Sequence, residues 1–428
     1  SYKNNNYPVV LDYSCGAGHF LNEYALQAKK ILSTQMGKGQ KIDNKSLSLI
    51  YKKIYGIEKE YRLSKVAKVA AFMYNQNDIN IIYKDALLQE SFPQDSVDIL
   101  IANPPYSVSG FLETLSDSEI NQYEISDFVK NKLNFNGIEF FFIERAKQVI
   151  KNNGIAAIII KESLLTDTKR YAKKCRELLL RYFDVVAIAN FNKNTFSKTG
   201  IKTSTLFLKK KDGDFFEHYK NRVNSWFSGN FRFDLLFDDS NLLEEYCEYR
   251  GFDYESYKEM LSSILLDKEL PQDIISSYEN FSDKLISNEN ILEIEKEKLL
   301  NFILIKNNSN DIILVKTPEE TDASKRFLGY SWSAREGKKG IQYIKGGNKN
   351  KIHTELFENN DQDLEIKINR LIKNKFTNKE INIPESLNDF VSIHSFLDLF
   401  DFEQNEFNNV ISTKVTENIF IHSSHQIV

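Results

Sequence analysis

The residues Asn103-Pro104-Pro105-Tyr106 carry the most chemical information in the chain. They follow Asp98-Ile99-Leu100-Ile101-Ala102, an apolar run entered from an acidic residue, which predicts a buried parallel strand. Neither proline can donate to a ladder, so the strand must stop there and the loop takes a fixed shape. In an open α/β sheet ligands bind at the carboxyl ends of the strands, which puts Asn103 and Tyr106 over an active-site crevice. The chemistry such a loop suits is methylation of an amide-like or aryl amine. The lone pair of that nitrogen is delocalised into its ring or carbonyl and attacks poorly. The Asn103 side-chain oxygen and the Pro104 carbonyl could each accept one hydrogen bond from the NH2 group, drawing electron density back onto the nitrogen without a general base. Tyr106 offers a face on which a planar substrate stacks, and a base in a duplex would first have to be flipped out. The bland alternative for these four residues is a strand-ending Pro-Pro turn with a capping asparagine.

The elements that would serve such a site come earlier in the chain. Val9-Val10-Leu11-Asp12 predicts a short strand, and Tyr13-Ser14-Cys15-Gly16-Ala17-Gly18-His19-Phe20-Leu21 a glycine turn with a helix starting near Phe20. A dinucleotide fingerprint needs three glycines in another register. A strand, an acid and Gly-x-Gly instead fit S-adenosylmethionine, with its amino-acid portion against Gly16 and Gly18 and with Asp12, Ser14, Cys15 and Phe20 as further contacts. Lys53 to Glu58 predicts a second strand, whose terminal acid could accept hydrogen bonds from both ribose hydroxyls. A helix is expected from about Tyr61 to Tyr74 and a third strand from Ile79 to Tyr83. Asp85, with Ala86 beside it, then falls where the adenine amino group of the cofactor could be read. Taken singly, Glu58 or Asp85 reads as well as a helix cap. Four successive strand ends, each bearing a compatible residue, argue together.

Asp12 to Gly18, Glu58, Asp85 and the Asn-Pro-Pro-Tyr loop resemble motifs I to IV of S-adenosylmethionine-dependent N6-adenine DNA methyltransferases in the gamma order. Gly137 to Ile160, with Phe141-Phe142-Ile143-Glu144-Arg145-Ala146, and Asn194 to Ser204 resemble segments of the modification subunits of type I restriction systems, or of fused restriction-modification proteins; the likeness covers residues 9–210. The resemblance implies a doubly wound, mostly parallel sheet of the class I S-adenosylmethionine-dependent methyltransferase fold, carrying a helical C-terminal extension. It implies double-stranded DNA as substrate, with a specificity subunit or fused target-recognition domain and a restriction subunit as partners. It also implies a second stacking ring at Phe196, opposite Tyr106, although core packing would explain one phenylalanine as well. The family usually carries a helical domain and a further cofactor-covering segment before the first motif, and fused relatives continue into a target-recognition region. Only eight residues precede Val9 here, so both ends are expected to be cut.

Composition sets outer bounds. With 428 residues, 41% of them hydrophobic and 13% aromatic, the chain can bury a large core and hold more than one domain. The expected division is a catalytic domain over residues 1–211, a helical extension over 212–310 and a mixed region over 311–428. No apolar run approaches bilayer length, and the expected location is cytoplasmic, with no membrane partner. Three scattered cysteines and six histidines match no metal spacing, so no metal is expected. Glu365-Ile366-Lys367 reads as helix surface rather than as a nuclease strand. A net charge of -4 leaves phosphate contact to local basic faces, for which Lys169, Arg170, Lys173, Lys174, Arg176 and Arg181 along one helix, and Lys193, Lys198 and Lys202 around Phe196, are candidates, although a solvated helix face is the commoner meaning of such a run. Residues 107–136, with no long periodic run, are expected to form a mobile insertion on the DNA side. Two other functions remain open: a protein-glutamine or RNA amine methyltransferase using the same loop, and a catalytically silent interaction subunit.

Overall fold

The computed structural model of the chain describes residues 7–36, 42–129, 134–191, 201–233, 238–264, 270–279, 287–306, 308, 311–318, 330–332, 341–343, 345–346, 351–352, 364–401 and 406–407. The first half alternates strands and helices: β1 (Val10–Asp12), α1 (His19–Met36), α2 (Asn44–Tyr51), β2 (Ile54–Glu58), α3 (Tyr61–Met73), β3 (Asn80–Tyr83) and β4 (Val97–Ala102). There follow a short α4 (Asp117–Ile120), α5 (Ile138–Val149), β5 (Ile150–Lys161), a short α6 (Ser163–Thr166), α7 (Arg170–Tyr182), β6 (Phe183–Phe191) and β7 (Thr203–Lys210). These strands, with β8 (Ile312–Lys316) and the strand Val391–His394, make one nine-stranded sheet in the order β3-β2-β1-β4-β5-β7-β6-β8 and then Val391–His394. Pairing is parallel from β3 through to β5 and between β6 and β8. Only β7 and Val391–His394 run against their neighbours.

The two faces of the sheet follow from alternation along the strands. Val10 and Ile54 point into a cluster with Leu21, Ala25 and Ala28 of α1 and with Ala67 and Ala71 of α3. Leu11, Leu100, Ala102 and Ile158 point the other way, into the main core with α5 and α7. Helices therefore cover both faces, as in a doubly wound fold. Helix α5 is apolar and buried almost all round, the pattern of a helix between two layers. The approach of α1 to the sheet depends on Gly56 in β2, where a Cβ would lie 2.6 Å from Leu21 Cδ1 and 2.8 Å from Cys15 Sγ. Among the described residues no helix is long and apolar enough to cross a membrane.

Two expectations change on inspection. The 107–136 segment is packed where it is described: Phe111, Leu112, Leu115, Ile120, Tyr123 and Ile125 are buried in the main core, and the Tyr123 hydroxyl donates to Leu87 O at 2.6 Å. Its helical pieces are four or five residues long, too short to show a period in sequence. The basic run of α7 is likewise mostly spent inside. Arg176 is buried and donates to Leu164 O and Asp167 O, Lys174 pairs with Glu124 and Glu177, and Arg181 pairs with Asp214 and Glu217. Of the six candidate phosphate contacts on this helix, Lys169 and Arg170 stay exposed and Lys173 is half-buried; of the other three, Lys202 is half-buried and Lys193 and Lys198 lie outside the described residues.

A helical extension follows β7: α8 (Phe215–Trp226), α9 (Asp239–Arg250), α10 (Tyr254–Ser263), α11 (Gln272–Glu279) and α12 (Asn288–Lys306). Its buried side chains, among them Trp226, Leu243, Tyr257, Ile274 and Phe302, belong to the same core cluster as α5 and α7. At its centre Glu295 of α12 is fully buried. Its carboxylate accepts from Tyr246 at 2.7 Å, from Tyr257 at 3.2 Å and from Tyr278, and it pairs with Arg250 at 3.1 Å. One side chain thus ties four helices together. Glu295→Ala would leave a buried guanidinium and three phenols without their common acceptor, and it should cost about 3–5 kcal/mol, read from the midpoint of a denaturant melt. A loss below about 1 kcal/mol would mean that packing, and not this carboxylate, joins the helices.

Candidate functional site

The chain runs outward from β1 to β2 and β3, then returns to the other side of β1 to form β4. This reversal opens a crevice at the carboxyl ends of β1 and β4, and the glycine turn and the Asn-Pro-Pro-Tyr loop leave from those ends. At the first, Asp12 is 1% exposed, and its Oδ1 accepts from Ser14 N at 3.0 Å and from Ser14 Oγ at 3.5 Å. The backbone then continues the ladder for one more step, Cys15 N donating to Ile57 O. Gly16 (φ +52°) and Gly18 (φ +81°) turn it into α1 through the left-handed region, which favours glycine. A Cβ at Gly16 would meet nothing within 4 Å, so the turn presents bare backbone to open space. Phe20, at the start of α1, is 36% exposed.

Asp12 and Glu58 flank this turn, and Asp85 follows β3 farther along the same edge. Glu58, the last residue of β2, accepts from Gly16 N at 2.9 Å with one oxygen and from Glu60 N at 2.8 Å with the other. Each oxygen keeps a second lone pair for a ligand. Asp85 accepts from Leu87 N and pairs with Lys59 at 2.7 Å; Lys59 also donates to Thr114 at 2.9 Å. At the β4 end Asn103 and Pro105 are exposed, Pro104 is buried and Tyr106 is half-buried, its hydroxyl donating to Asn103 Oδ1 at 2.7 Å. The Tyr13 phenol, after β1, is buried and donates to Phe142 O at 3.1 Å; desolvation pushes its pKa well above the ordinary value, with Asp12 and Tyr106 adding to the shift.

The family model for N-6 DNA methylases matches residues 2–227, from before β1 through α8. The chain belongs to that family. Among curated relatives, the chain is 21% identical over 207 residues to the type II restriction enzyme and methyltransferase RM.BcgI of Heyndrickxia coagulans. That match covers 48% of the chain and 28% of the relative. It is 26% identical over 223 residues to the type I restriction enzyme MpnII methylase subunit of Mycoplasma pneumoniae, covering 48% and 37%. In each case the comparison is with about a third of the relative's length. A solved methyltransferase subunit of a type I restriction-modification system from Streptococcus thermophilus superposes with a TM-score of 0.46 at 13% identity, over 94% of this chain and 54% of that one.

The parallel strands bring Asp12, Ser14, Cys15, Gly16, Gly18, Phe20, Glu58, Asp85, Ala86 and residues 103–106 to the same edge of the sheet. Phe196 lies outside the described residues. Burial pushes the Cys15 thiol pKa up, so this cysteine is inert at neutral pH. Ala86 enters through its carbonyl, which accepts from Arg145 Nε at 2.9 Å. Arg145 is 1% exposed and also donates to the carbonyls of Leu88, Gln89 and Phe92, so one guanidinium holds the whole turn after Asp85. Next to it Glu144 accepts from Glu124 N and Ile125 N, fastening the 107–136 segment. Neither role was legible in advance. Charged residues in an apolar helix show nothing in sequence of what lies opposite them.

Asp12 yields a test that needs no ligand. Burial raises its carboxyl from the ordinary 3.8 to about 7, with the Glu58 charge adding and the Ser14 hydrogen bonds opposing. A carboxyl whose folded pKa is raised favours the folded state only while protonated. Its contribution is therefore complete below pH 4 and is lost as the pH climbs to about 7, a change on the order of 4 kcal/mol. Asp12→Asn should melt well above the parent at pH 8, and the gap should close by pH 4.5. Parallel melting curves across that range would show that Asp12 is not buried as an acid.

Proposed function

We propose that this chain is the catalytic part of a DNA adenine-N6 methyltransferase of a restriction-modification system, methylating a flipped-out adenine with S-adenosylmethionine. The observation that carries the reading is the meeting, at one edge of the sheet, of the Asn103 acceptor with a glycine turn flanked by Asp12 and Glu58. The catalytic unit in this reading is residues 1–211, with residues 212–310 as a helical buttress and 311–428 leading towards target recognition. Double-stranded DNA, a specificity element and a restriction subunit are the partners.

The residues present fit the cofactor. Its cationic amino-acid end suits a buried carboxylate, Asp12, beside a turn with no side chain at Gly16 and Gly18. Its ribose diol suits the free lone pairs of Glu58, and its adenine amine suits the carboxylate of Asp85, next to Ala86. Bound there, S-adenosylmethionine would supply a methyl group on a positively charged sulfur. The protein's own part lies in the loop. In the free protein the Tyr106 hydroxyl occupies Asn103 Oδ1. A target amine takes over that acceptor and gives its other N–H to the Pro104 carbonyl, leaving the nitrogen lone pair aimed into the crevice. Pro104 and Pro105 keep the loop from yielding, and the Tyr106 ring, with Phe196 as the proposed opposite face, stacks the extruded base.

Two substitutions separate binding from chemistry. Glu58→Ala should cost about 2–4 kcal/mol of cofactor affinity by isothermal titration, because it removes the diol acceptor and also frees the Gly16 amide. An unchanged dissociation constant would make Glu58 purely structural. Asn103→Ala removes an acceptor that gains strength as the nitrogen loses its lone pair. It should slow tritiated methyl transfer to DNA by at least ~100-fold with cofactor affinity intact. The assay uses the full-length protein with its specificity partner. Parallel RNA and protein substrates check the substrate class, and transfer to either of those in place of DNA would overturn the reading.

A further inference from the structure

The residue after the Asn-Pro-Pro-Tyr loop is held in an unusual way. Ser107 has φ +54°, the left-handed region that an L side chain adopts only at a cost. Its amide donates to Glu139 Oε2 at 3.0 Å, and its hydroxyl accepts from Lys161 Nζ at 3.2 Å. Glu139 comes from the first turn of α5 and is 4% exposed. Among the described residues no lysine or arginine forms an ion pair with it, and the Ser107 amide is its one side-chain hydrogen bond. A buried carboxylate with so little compensation is costly to keep. The amino-terminal end of α5 offsets part of that cost, since the free N–H groups there favour a negative charge. Its charge also reaches the Tyr106 phenol, whose pKa is raised by burial first and by Glu139 second.

We propose that Glu139 is a positioning residue for the catalytic loop: by accepting the Ser107 amide it fixes the left-handed exit that sets Tyr106 beneath Asn103. Lys161, at the carboxyl end of β5, steadies the same residue from the other side. The loop is then rigid for two reasons. The prolines fix its entry, and a carboxylate from the neighbouring helix fixes its exit. This inference rests on the methyltransferase reading for its effect on rate, but the contact itself can be examined without cofactor or DNA.

The first readout is hydrogen exchange of the Ser107 amide. It should be protected in the parent and in Glu139→Gln, whose amide oxygen still accepts, and it should exchange freely in Glu139→Ala. The second is methyl transfer by the full-length protein with its specificity partner. Glu139→Ala should be slower by about 10- to 100-fold with unchanged cofactor affinity, and Glu139→Gln should stay within about threefold of the parent. The third is rescue. Glycine adopts the left-handed region freely, so Ser107→Gly added to Glu139→Ala should recover most of the lost rate. If Glu139→Ala fails to fold, Ser107→Val decides the matter, because a β-branched side chain at this exposed position opposes the left-handed exit and should reproduce the loss of rate in a folded protein. An unprotected Ser107 amide in the parent, a Glu139→Gln as slow as Glu139→Ala, a double variant no faster than Glu139→Ala, or a fully active Ser107→Val would each overturn the proposal. A parent that protects Ser107 but methylates nothing would instead overturn the methyltransferase reading and leave the Glu139 contact standing.

Discussion

Everything at the crevice hangs from the placing of one three-residue strand between two others. Val10 and Leu11 pair in parallel with Ile54 and Tyr55 on one side and with Ile99 and Leu100 on the other. So short a strand has no pairing energy to spare, and its register is set by the alternation that sends Val10 to one core and Leu11 to the other. A slip of one residue would exchange those faces and turn Asp12 away from the Gly16 turn. The chemistry at the carboxyl edge is thus only as well placed as the packing of two apolar side chains beneath it.

The second constraint is electrostatic. Two buried charged side chains of α5 sit close under the site, and each is used to hold backbone. Arg145 gathers the carbonyls after Asp85, and Glu144 takes two amides of the segment beyond the Asn-Pro-Pro-Tyr loop. Loops with no regular ladder of their own must satisfy their backbone groups somewhere, and charged side chains reaching out of a rigid helix are strong partners for that purpose. Such contacts fix loop shape at the expense of desolvation, which explains why a chain with a large apolar core carries charged groups next to its crevice.

How much of this could be read from the sequence depended on whether the signal was local. The strand before Asn103 announces itself by an apolar run cut by two prolines, and the order of strand, glycine turn, strand, acid is enough for the doubly wound fold. The positions of Glu58 and Asp85 at strand ends followed from the same periodicity, although the Lys59 partner of Asp85 did not. What stayed hidden was long-range. Nothing local distinguishes Arg176, buried against Leu164 O and Asp167 O, from Lys169, which faces solvent two turns earlier on the same basic stretch. The 107–136 segment lacks a helical period because its pieces are single turns, and a missing period resembles mobility until its burial is seen.

The strands β8 and Val391–His394 set the unit of folding apart from the unit of chemistry. Everything proposed to act on substrate lies before residue 212, yet β6 has β7 on one flank and β8 on the other. A polypeptide stopped after β7 would leave β6, nine residues long and largely apolar, as a bare edge, with the buried sides of α7 and α5 stripped of the helical extension. Such an edge is a template for pairing with another copy. The first half therefore depends on the second to cover that edge, and any transplant of residues 1–211 into another protein must carry that covering strand with it.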